Sequence, residues 1–302
     1  MTAERRMPST RYWSWFAAPG VAWLVGFFVV SVYAVAAVAF GQVDPLLKTA
    51  IPAWNPLQWR TDAMSDVLGR LAGGDLGRVA VRTFLFVGAA LAGCVAIGYP
   101  VAYFVARTAR RSRGIVLGLL VLPFWISYLM RMLAWTNLLQ ADGYVNRILG
   151  WIGVLDQPRT WLDGSASTVV IGLVYGYVPF FILPMYSALE RIDGRLIEAA
   201  RDLGASRAAA FARVTLPLSV PGLLAASVIT VLPMFGDYYT NAYLTSGSPR
   251  TEMIGNQVEF FLRGSSQPQK GASLVLLLMA ALLMLMVYYL VTTIRQQRAM
   301  ER

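Results

Sequence analysis

Six long apolar runs alternate with polar segments along the 302 residues of the chain. A helix needs about 20 mainly apolar residues to cross the roughly 30 Å hydrocarbon layer of a bilayer. All six runs are long enough, so the pattern predicts an all-α integral membrane protein with six transmembrane helices. The predicted spans lie at about residues 16–40, 79–106, 114–139, 168–189, 222–245 and 273–294.

The whole chain, 1–302, is predicted to be a single transmembrane domain. Arginines precede the first apolar run as they do in a signal peptide, but this run is too long for a cleavable one, and we expect an uncleaved anchor. Five prolines within or at the ends of spans either kink the helices beside an internal cavity or only adjust helix packing. They are Pro100, Pro123, Pro179, Pro184 and Pro233.

Composition agrees with the membrane class, because 57% of residues are hydrophobic and only 14% are charged, against about 25% charged in soluble domains. The chain has no histidine and one cysteine, Cys94. Its side chains therefore cannot form a histidine-based catalytic centre or an intrachain disulfide, and we expect no metal site. The net charge of +10 is explained better by basic cytoplasmic loops than by a nucleic-acid partner.

Loop charges predict the orientation of the chain. The N-terminus, the 107–113 loop, the 190–221 loop and the C-terminal tail together hold 15 Arg against 6 Asp and Glu. The alternate loops, counted with Arg82, hold 10 Lys and Arg against 9 Asp and Glu. Because short cytoplasmic loops carry the excess of Lys and Arg, both termini and the 190–221 loop are predicted to be cytoplasmic.

The stretch "EAARDLGASRAAAFARVTLPLSVPG" runs from Glu198 to Gly222 and makes up most of the 190–221 loop. Its composition predicts two short helices, about 194–203 and 206–213, that meet at an angle at Gly204; we call residues 194–213 the elbow. Pro217 and Pro221 are predicted to end the segment before the fifth span. The elbow could dock on a protein or lie on lipid headgroups, and its interspersed acidic residues favour a protein groove.

The spacing of this segment resembles the EAA loop of ABC importer permeases. Six positions of the block match that pattern, with a conservative valine where the family has isoleucine: Glu198, Ala199, Ala200, Gly204, Leu216 and Pro217. The resemblance implies a type I ABC importer permease fold, in which the elbow is a coupling helix seated in a groove of an ATPase subunit. The chain has no G-x-x-x-x-G-K-[ST] loop, so we expect no cofactor here, with ATP and Mg²⁺ bound by the partner ATPase and no enzymatic activity in this chain.

Three further stretches, "GYPVAYFVAR", "LPFWISYLMRMLAWTNLLQADGYVNRILGWIG" and "FGDYYTNAYLTSGSPRTEMIGNQVEFFL", are similar to the first permease subunit of spermidine/putrescine transporters. The resemblance implies a bacterial inner-membrane protein with four kinds of neighbour. These are a second permease in a heterodimer, two ATPase subunits, an extracytoplasmic substrate-binding protein and the membrane lipid. Members of this branch also move other small solutes, so the family is better defined than the substrate.

Apart from Arg82, which is counted with the loops, two charges lie inside the predicted spans, Arg131 and Asp237. They lie 17 and 15 residues from the cytoplasmic ends of their spans, which on continuous helices places both roughly 22–26 Å up. At similar depth they could form a structural pair, or Asp237 could face the pathway and meet a cationic solute while Arg131 limits its field. The sequence favours the second interpretation.

Aromatic residues near these charges suit a polyamine, which carboxylates and aromatic faces attract. The candidate pathway residues are Asp237, Tyr238, Tyr239, Trp125, Tyr128 and Arg131. An aromatic belt at the membrane interface would produce the same composition, and both interpretations stay open. An ion-coupled secondary transporter and a channel-like subunit are disfavoured, because neither inverted repeats nor a filter motif is visible and neither would explain the elbow.

Overall fold

The computed structural model describes residues 10–109, 112–265 and 267–300, and this part of the chain is mostly helical. Its α-helices in chain order are α1 (Thr10–Ala39), α2 (Asp62–Gly73), α3 (Asp75–Arg107), α4 (Arg113–Val121), α5 (Tyr128–Leu138), α6 (Tyr144–Trp151), α7 (Ala166–Glu190), α8 (Gly194–Asp202), α9 (Arg207–Ala210), α10 (Leu216–Phe235), α11 (Tyr239–Leu244), α12 (Ile254–Glu259) and α13 (Pro268–Met300). Two 3₁₀-helices, Pro56–Gln58 and Leu122–Trp125, and two π-helical turns, Phe211–Thr215 and Phe260–Gly264, complete the helical elements. Strands β1 (Gln42–Val43) and β2 (Ala50–Ile51) form an antiparallel pair.

Five described helices are long and apolar enough to cross a membrane, and a bent pair makes a sixth span if its two halves count as one. The five are Phe16–Ala39, Asp75–Arg107, Ala166–Glu190, Arg207–Phe235 and Pro268–Thr292. The bent pair consists of Arg113–Trp125 and Tyr128–Leu138, which meet at 90°. The all-α membrane architecture predicted from the apolar runs is confirmed.

The third and fifth apolar runs form helices that differ from the predicted spans. The predicted span 114–139 is broken at Ile126 and Ser127, where the backbone is extended and the Ser127 side chain accepts the N–H of Met130 to begin α5. The fifth helix ends at Phe235, two residues before Asp237. The depth calculated for Arg131 and Asp237 assumed continuous helices, and this assumption is wrong, because a rise of 1.5 Å per residue holds only along one straight axis.

One compact unit comprises the described part of Met1–Gly69 together with Phe260–Ala280. After α1 the chain turns through the β1–β2 hairpin and returns to the end of that helix. There the Trp59 ring stacks on Phe40 with 4.7 Å between centroids, and its indole N–H donates to the carbonyl of Ala53. The backbone N–H of Arg60 also donates to the carbonyl of Phe40 at 2.9 Å. Aromatic stacking and these hydrogen bonds thus hold the connection between α1 and α2 against the end of α1.

The second unit comprises Arg70–Glu259 together with the described part of Ala281–Arg302, and α7 is its central helix. This helix packs most extensively against α3 and α10, and its buried face includes Leu173, Phe181 and Met185. Glycine permits the close approach to α3, because a Cβ on Gly98 would lie 2.6 Å from the Phe181 ring. Small residues at helix contacts are a common way for apolar helices to pack in a bilayer.

Candidate functional site

The elbow is built from α8 and α9, and polar side chains cap the start of each helix. The Asp193 carboxylate accepts the N–H of Arg195 at 3.0 Å, and the Ser206 hydroxyl accepts the N–H of Ala209 at 3.2 Å. Such caps satisfy backbone donors that the first helical turn leaves free. The elbow therefore carries the local signals of two defined helices in its own sequence.

A Schellman motif centred on Gly204 ends α8. The N–H of Ala205 donates to the carbonyl of Ala200 at 3.0 Å, and the N–H of Gly204 donates to the carbonyl of Arg201 at 2.9 Å. Gly204 has φ +88°, a left-handed conformation that glycine adopts without steric cost. The predicted break between two elbow helices is confirmed at this residue, and the motif gives the break its physical cause.

Two arginines hold the chain that leads into the elbow. Arg107, the last residue of α3, donates from Nη2 to the carbonyls of Leu189 and Ile192 at 3.1 and 3.0 Å. Arg113, the first residue of α4, forms an ion pair with Glu190 at the end of α7. The ends of α3, α4 and α7 are thereby joined at the base of the elbow.

A π-helical turn, Phe211–Thr215, joins the elbow to the fifth spanning helix. The sequence had predicted an α-helix as far as residue 213 and an end of the polar segment at Pro217 and Pro221. The N–H of Leu216 donates five residues back to the carbonyl of Phe211, and the Phe211 ring packs edge-on against Tyr99 and Tyr103 of α3. Both prolines lie within α10 rather than ending the segment, and Pro217 occupies its first turn, where a missing N–H costs little.

The six residues predicted for coupling fall in two places. Glu198, Ala199 and Gly204 are exposed on the elbow and Ala200 is half-buried, whereas Leu216 and Pro217 begin α10. The neighbouring Leu203 is 90% exposed at the tip of α8. An exposed apolar residue beside small side chains gives the elbow a surface that a protein groove could cover.

The second candidate site is a buried polar cluster around Asp237, which is only 4% exposed. Its Oδ2 atom accepts hydrogen bonds from the hydroxyls of Tyr128 (2.6 Å), Tyr177 (2.9 Å) and Thr240 (3.0 Å). Its Oδ1 atom accepts the backbone N–H of Thr240 at 2.9 Å. Together with Arg131 these residues form what we call the Asp237 cluster, which joins α5, α7 and α11.

Arg131 does not form a direct pair with Asp237. Among the described residues the ion pairs are Arg70–Asp75, Arg113–Glu190 and Lys270–Asp66. The guanidinium of Arg131 instead lies 5.2 Å from the ring centroid of Tyr128 and 4.6 Å from that of Phe124. Arg131 is 8% exposed, and its Nε finds no hydrogen-bond acceptor within the described part of the chain. Tyr128 thus stands between the two buried charges, with its ring towards the cation and its hydroxyl on the anion.

The other predicted pathway residues are not all in the cluster. Tyr238 and Tyr239 follow Asp237 and are half-buried, with their ring centroids 4.0 Å apart, and Tyr239 lies 6.0 Å from Tyr128. Trp125 is 86% exposed in the 3₁₀-helix before the break. The break at Ile126 and Ser127 separates Trp125 from the helix that carries Tyr128.

Sequence reasoning missed Thr240 and Gly176. Thr240 follows Asp237 by three residues at the start of a helix, a spacing typical of a capping contact that could have been noticed. A Cβ on Gly176 would lie 2.7 Å from Cε2 of Tyr128, so this glycine gives the tyrosine ring its place beside α7. Nothing in the sequence indicates that contact, because the two residues are distant along the chain.

Residues 95–299, which contain the elbow and the Asp237 cluster, match the family described as binding-protein-dependent transport system inner membrane component. The chain belongs to this family. It is therefore an ABC importer permease, a multi-pass transport protein of the inner membrane rather than an enzyme, as the EAA-like spacing led us to expect.

Two relatives of this permease have the same name, spermidine/putrescine transport system permease protein PotB. The protein of Escherichia coli is 39% identical over 166 residues, which cover 55% of this chain and 59% of that protein, so the match spans less than two thirds of its length. The protein of Haemophilus influenzae is 34% identical over 237 residues, 78% of each chain.

A solved structure has the same fold as the permease. It is the crystal structure of a bacterial alginate ABC transporter in complex with alginate pentasaccharide-bound periplasmic protein, with a TM-score of 0.70 and 18% identity over 93% of each chain. At this identity the likeness establishes the fold alone. The predicted type I importer permease fold is confirmed.

Proposed function

We propose that this chain is one of the two permease subunits of an ATP-driven importer whose solute is a polyamine, such as putrescine or spermidine. The observation that carries the proposal is the similarity to the polyamine permease of Haemophilus influenzae over 78% of both chains. Relatives with the same fold handle other solutes, as the alginate transporter illustrates. Another small solute is therefore the second candidate.

The chemistry of the Asp237 cluster supports a cationic solute. A polyamine carries protonated amines, and each can pair with a carboxylate or lie over an aromatic face. Asp237 is a buried carboxylate next to Tyr238 and Tyr239, with the Tyr128 ring beside them. These four residues are the proposed pathway group, and Arg131 limits the field of the carboxylate on the other side of Tyr128.

The elbow is the proposed contact with an ATPase subunit. Its capped helices and the Schellman motif at Gly204 make it rigid, and Glu198, Ala199 and Gly204 are exposed for a partner to contact. Because the chain lacks a G-x-x-x-x-G-K-[ST] loop, ATP and Mg²⁺ bind to the partner. The complete importer then has a second permease, two ATPase subunits and an extracytoplasmic substrate-binding protein, with lipid around the spans.

Loop charges support a cytoplasmic position for the elbow and for both termini. Part of this signal, Arg110 and Arg111 and the first nine residues, lies outside the described residues. The orientation also agrees with coupling, since ATP is a cytoplasmic ligand and the elbow must lie on that side to transmit its hydrolysis.

Co-purification tests the transporter class. We expect the tagged chain to isolate an ATPase whose turnover rises with the binding protein. Uptake by the lone chain driven by an ion gradient would instead identify a secondary transporter. Ligand screening of the binding protein tests the solute: tight binding of putrescine or spermidine supports the proposal, whereas binding of an anion or a sugar alone would contradict it.

A further inference from the structure

Asp237 accepts hydrogen bonds from residues of three helices, α5, α7 and α11. Two of these helices surround the carboxylate as fixed structure, and the third follows a break in the chain. Tyr177 belongs to α7, the central helix of its unit, and Thr240 belongs to α11, which begins two residues after Asp237. Both are therefore part of the framework around the carboxylate. Tyr128 comes from α5, which follows the 90° break in the third apolar segment. Its hydroxyl makes the shortest of the contacts to Asp237, at 2.6 Å.

Helix α5 carries Tyr128 and Arg131 on one face, because residues three apart on a helix lie side by side. The guanidinium lies 5.2 Å from the centroid of the Tyr128 ring, so the two side chains are in contact and belong to the same helix. Any movement of α5 away from α11 would therefore take the phenol and the cation from Asp237 together. The extended residues between Trp125 and Tyr128 provide a point about which α5 can turn.

A protonated amine and the Tyr128 hydroxyl would compete for the same carboxylate oxygen. The Oδ2 atom already accepts three hydroxyl donors, and Asp237 is 4% exposed, so a solute cannot reach it while Tyr128 stays in place. An alkylammonium brings a full positive charge to Asp237, which the neutral Tyr128 hydroxyl does not, so its hydrogen bond to the carboxylate is charged at both ends. The positive charge of Arg131 repels a second cation next to Asp237. Asp237 can therefore bind the Tyr128 hydroxyl, with Arg131 nearby, or the solute amine, but not both at once.

We propose that Tyr128 and Arg131 form a latch that holds α5 on Asp237, and that an alkylammonium group of the solute opens this latch by replacing the Tyr128 hydroxyl. The inference rests on the proposed polyamine function and adds to it the oxygen atom where the solute acts and the helix that moves. The competing interpretation is a static brace, in which Tyr128 and Tyr177 have the same role.

A reporter cysteine measures the movement of α5 directly. Met132 of α5 and Met185 of α7 are both 0% exposed, and each would be replaced by cysteine in a Cys94→Ala complex with its ATPase and binding protein. Putrescine delivered by the binding protein should raise the rate at which a small thiol reagent labels Met132→Cys. Labelling of Met185→Cys, the matched control in the helix core, should not change.

Three variants separate a latch from a brace. Tyr128→Phe should raise labelling of the reporter without solute by about tenfold, as expected for the loss of a hydrogen bond to a charged acceptor. Gly176→Ala should act likewise, because its Cβ would displace the Tyr128 ring while every polar group is kept. Tyr177→Phe removes a bond from the same oxygen but leaves α5 attached, so we expect a similar loss of thermal stability and a smaller rise in labelling.

Equal labelling in the Tyr128→Phe and Tyr177→Phe complexes, or no response of the reporter to putrescine in a complex that transports it, would overturn the latch. Failure of the proposed function looks different, because the unmodified complex would then neither bind nor take up a polyamine. Should Tyr128→Phe not assemble, the Gly176→Ala complex decides between latch and brace by the same labelling comparison.

Discussion

Gly204 permits a sharp test of the elbow, because its conformation and surroundings separate backbone effects from packing effects. The residue has φ +88°, and no heavy atom lies within 4 Å of the position that a Cβ would take. Alanine at 204 therefore meets no steric obstacle, and its cost is that of the left-handed conformation, about 1–2 kcal/mol. Asparagine tolerates this conformation better and should cost less.

Proline at 204 is a different change. It restricts φ to about −65° and removes the N–H that donates to the carbonyl of Arg201. The elbow angle is then disfavoured by at least about 3 kcal/mol, which reduces the fraction of correctly shaped elbows roughly 100-fold. Because the elbow is exposed, insertion and the packing of α3, α7 and α10 should remain intact.

ATP-driven uptake in proteoliposomes is the assay, with the ATPase retained by the tagged chain measured alongside. We expect uptake to fall slightly for Gly204→Asn, further for Gly204→Ala and to background for Gly204→Pro. Gly194→Pro is the matched control, since Gly194 is the first residue of α8, where proline is accepted, and Asp193 before it is already extended. Wild-type uptake by a well-expressed Gly204→Pro complex would refute the coupling role of the elbow.

Three further predictions concern helix packing, the hydrogen bonding of a buried hydroxyl and the orientation of the chain in the membrane. Gly222→Ala should lower the stability of the purified protein by about 1–3 kcal/mol, because its Cβ would lie 2.1 Å from a side-chain carbon of α7. The control Gly88→Ala, whose Cβ meets nothing within 4 Å, should leave the stability unchanged. Equal melting temperatures of the two variants would contradict the packing. Thr215→Val should keep or raise the melting temperature, since the buried Thr215 hydroxyl has no hydrogen-bond partner among the described residues, and a large loss would indicate a missed partner. Ser112→Cys in a chain without Cys94 should react with an impermeant thiol reagent from the cytoplasmic side only, and labelling from outside would overturn the orientation.

Hydrophobic length made the spanning helices predictable, because the bilayer imposes it on each segment separately. The elbow was predictable for a similar reason: its caps, its glycine and its spacing are local signals. The 90° break at Ile126 and Ser127 was not, since Pro123 indicates a disturbed helix but not the direction of the chain after it. A depth calculated along a single axis does not apply beyond that point.

The Asp237 cluster was predictable only in part. A carboxylate in an apolar segment is expected to be functional or paired, and the neighbouring tyrosines were visible in the sequence. Its partner Tyr177 lies 60 residues away along the chain and Tyr128 lies 109 away, and such pairings depend on how the helices pack. The sequence suggested a direct pair with Arg131 as one alternative, and in the folded chain Tyr128 lies between the two charges.

Uptake of radiolabelled putrescine tests the central claim most directly. The purified complex of this chain with its second permease and ATPases would be reconstituted in proteoliposomes, with the binding protein outside and ATP inside. We predict uptake that requires both ATP and the binding protein and that is lost with Gly204→Pro but not with Gly194→Pro. Uptake that proceeds without ATP, or a complex that hydrolyses ATP in response to its binding protein yet moves no polyamine, would contradict the account.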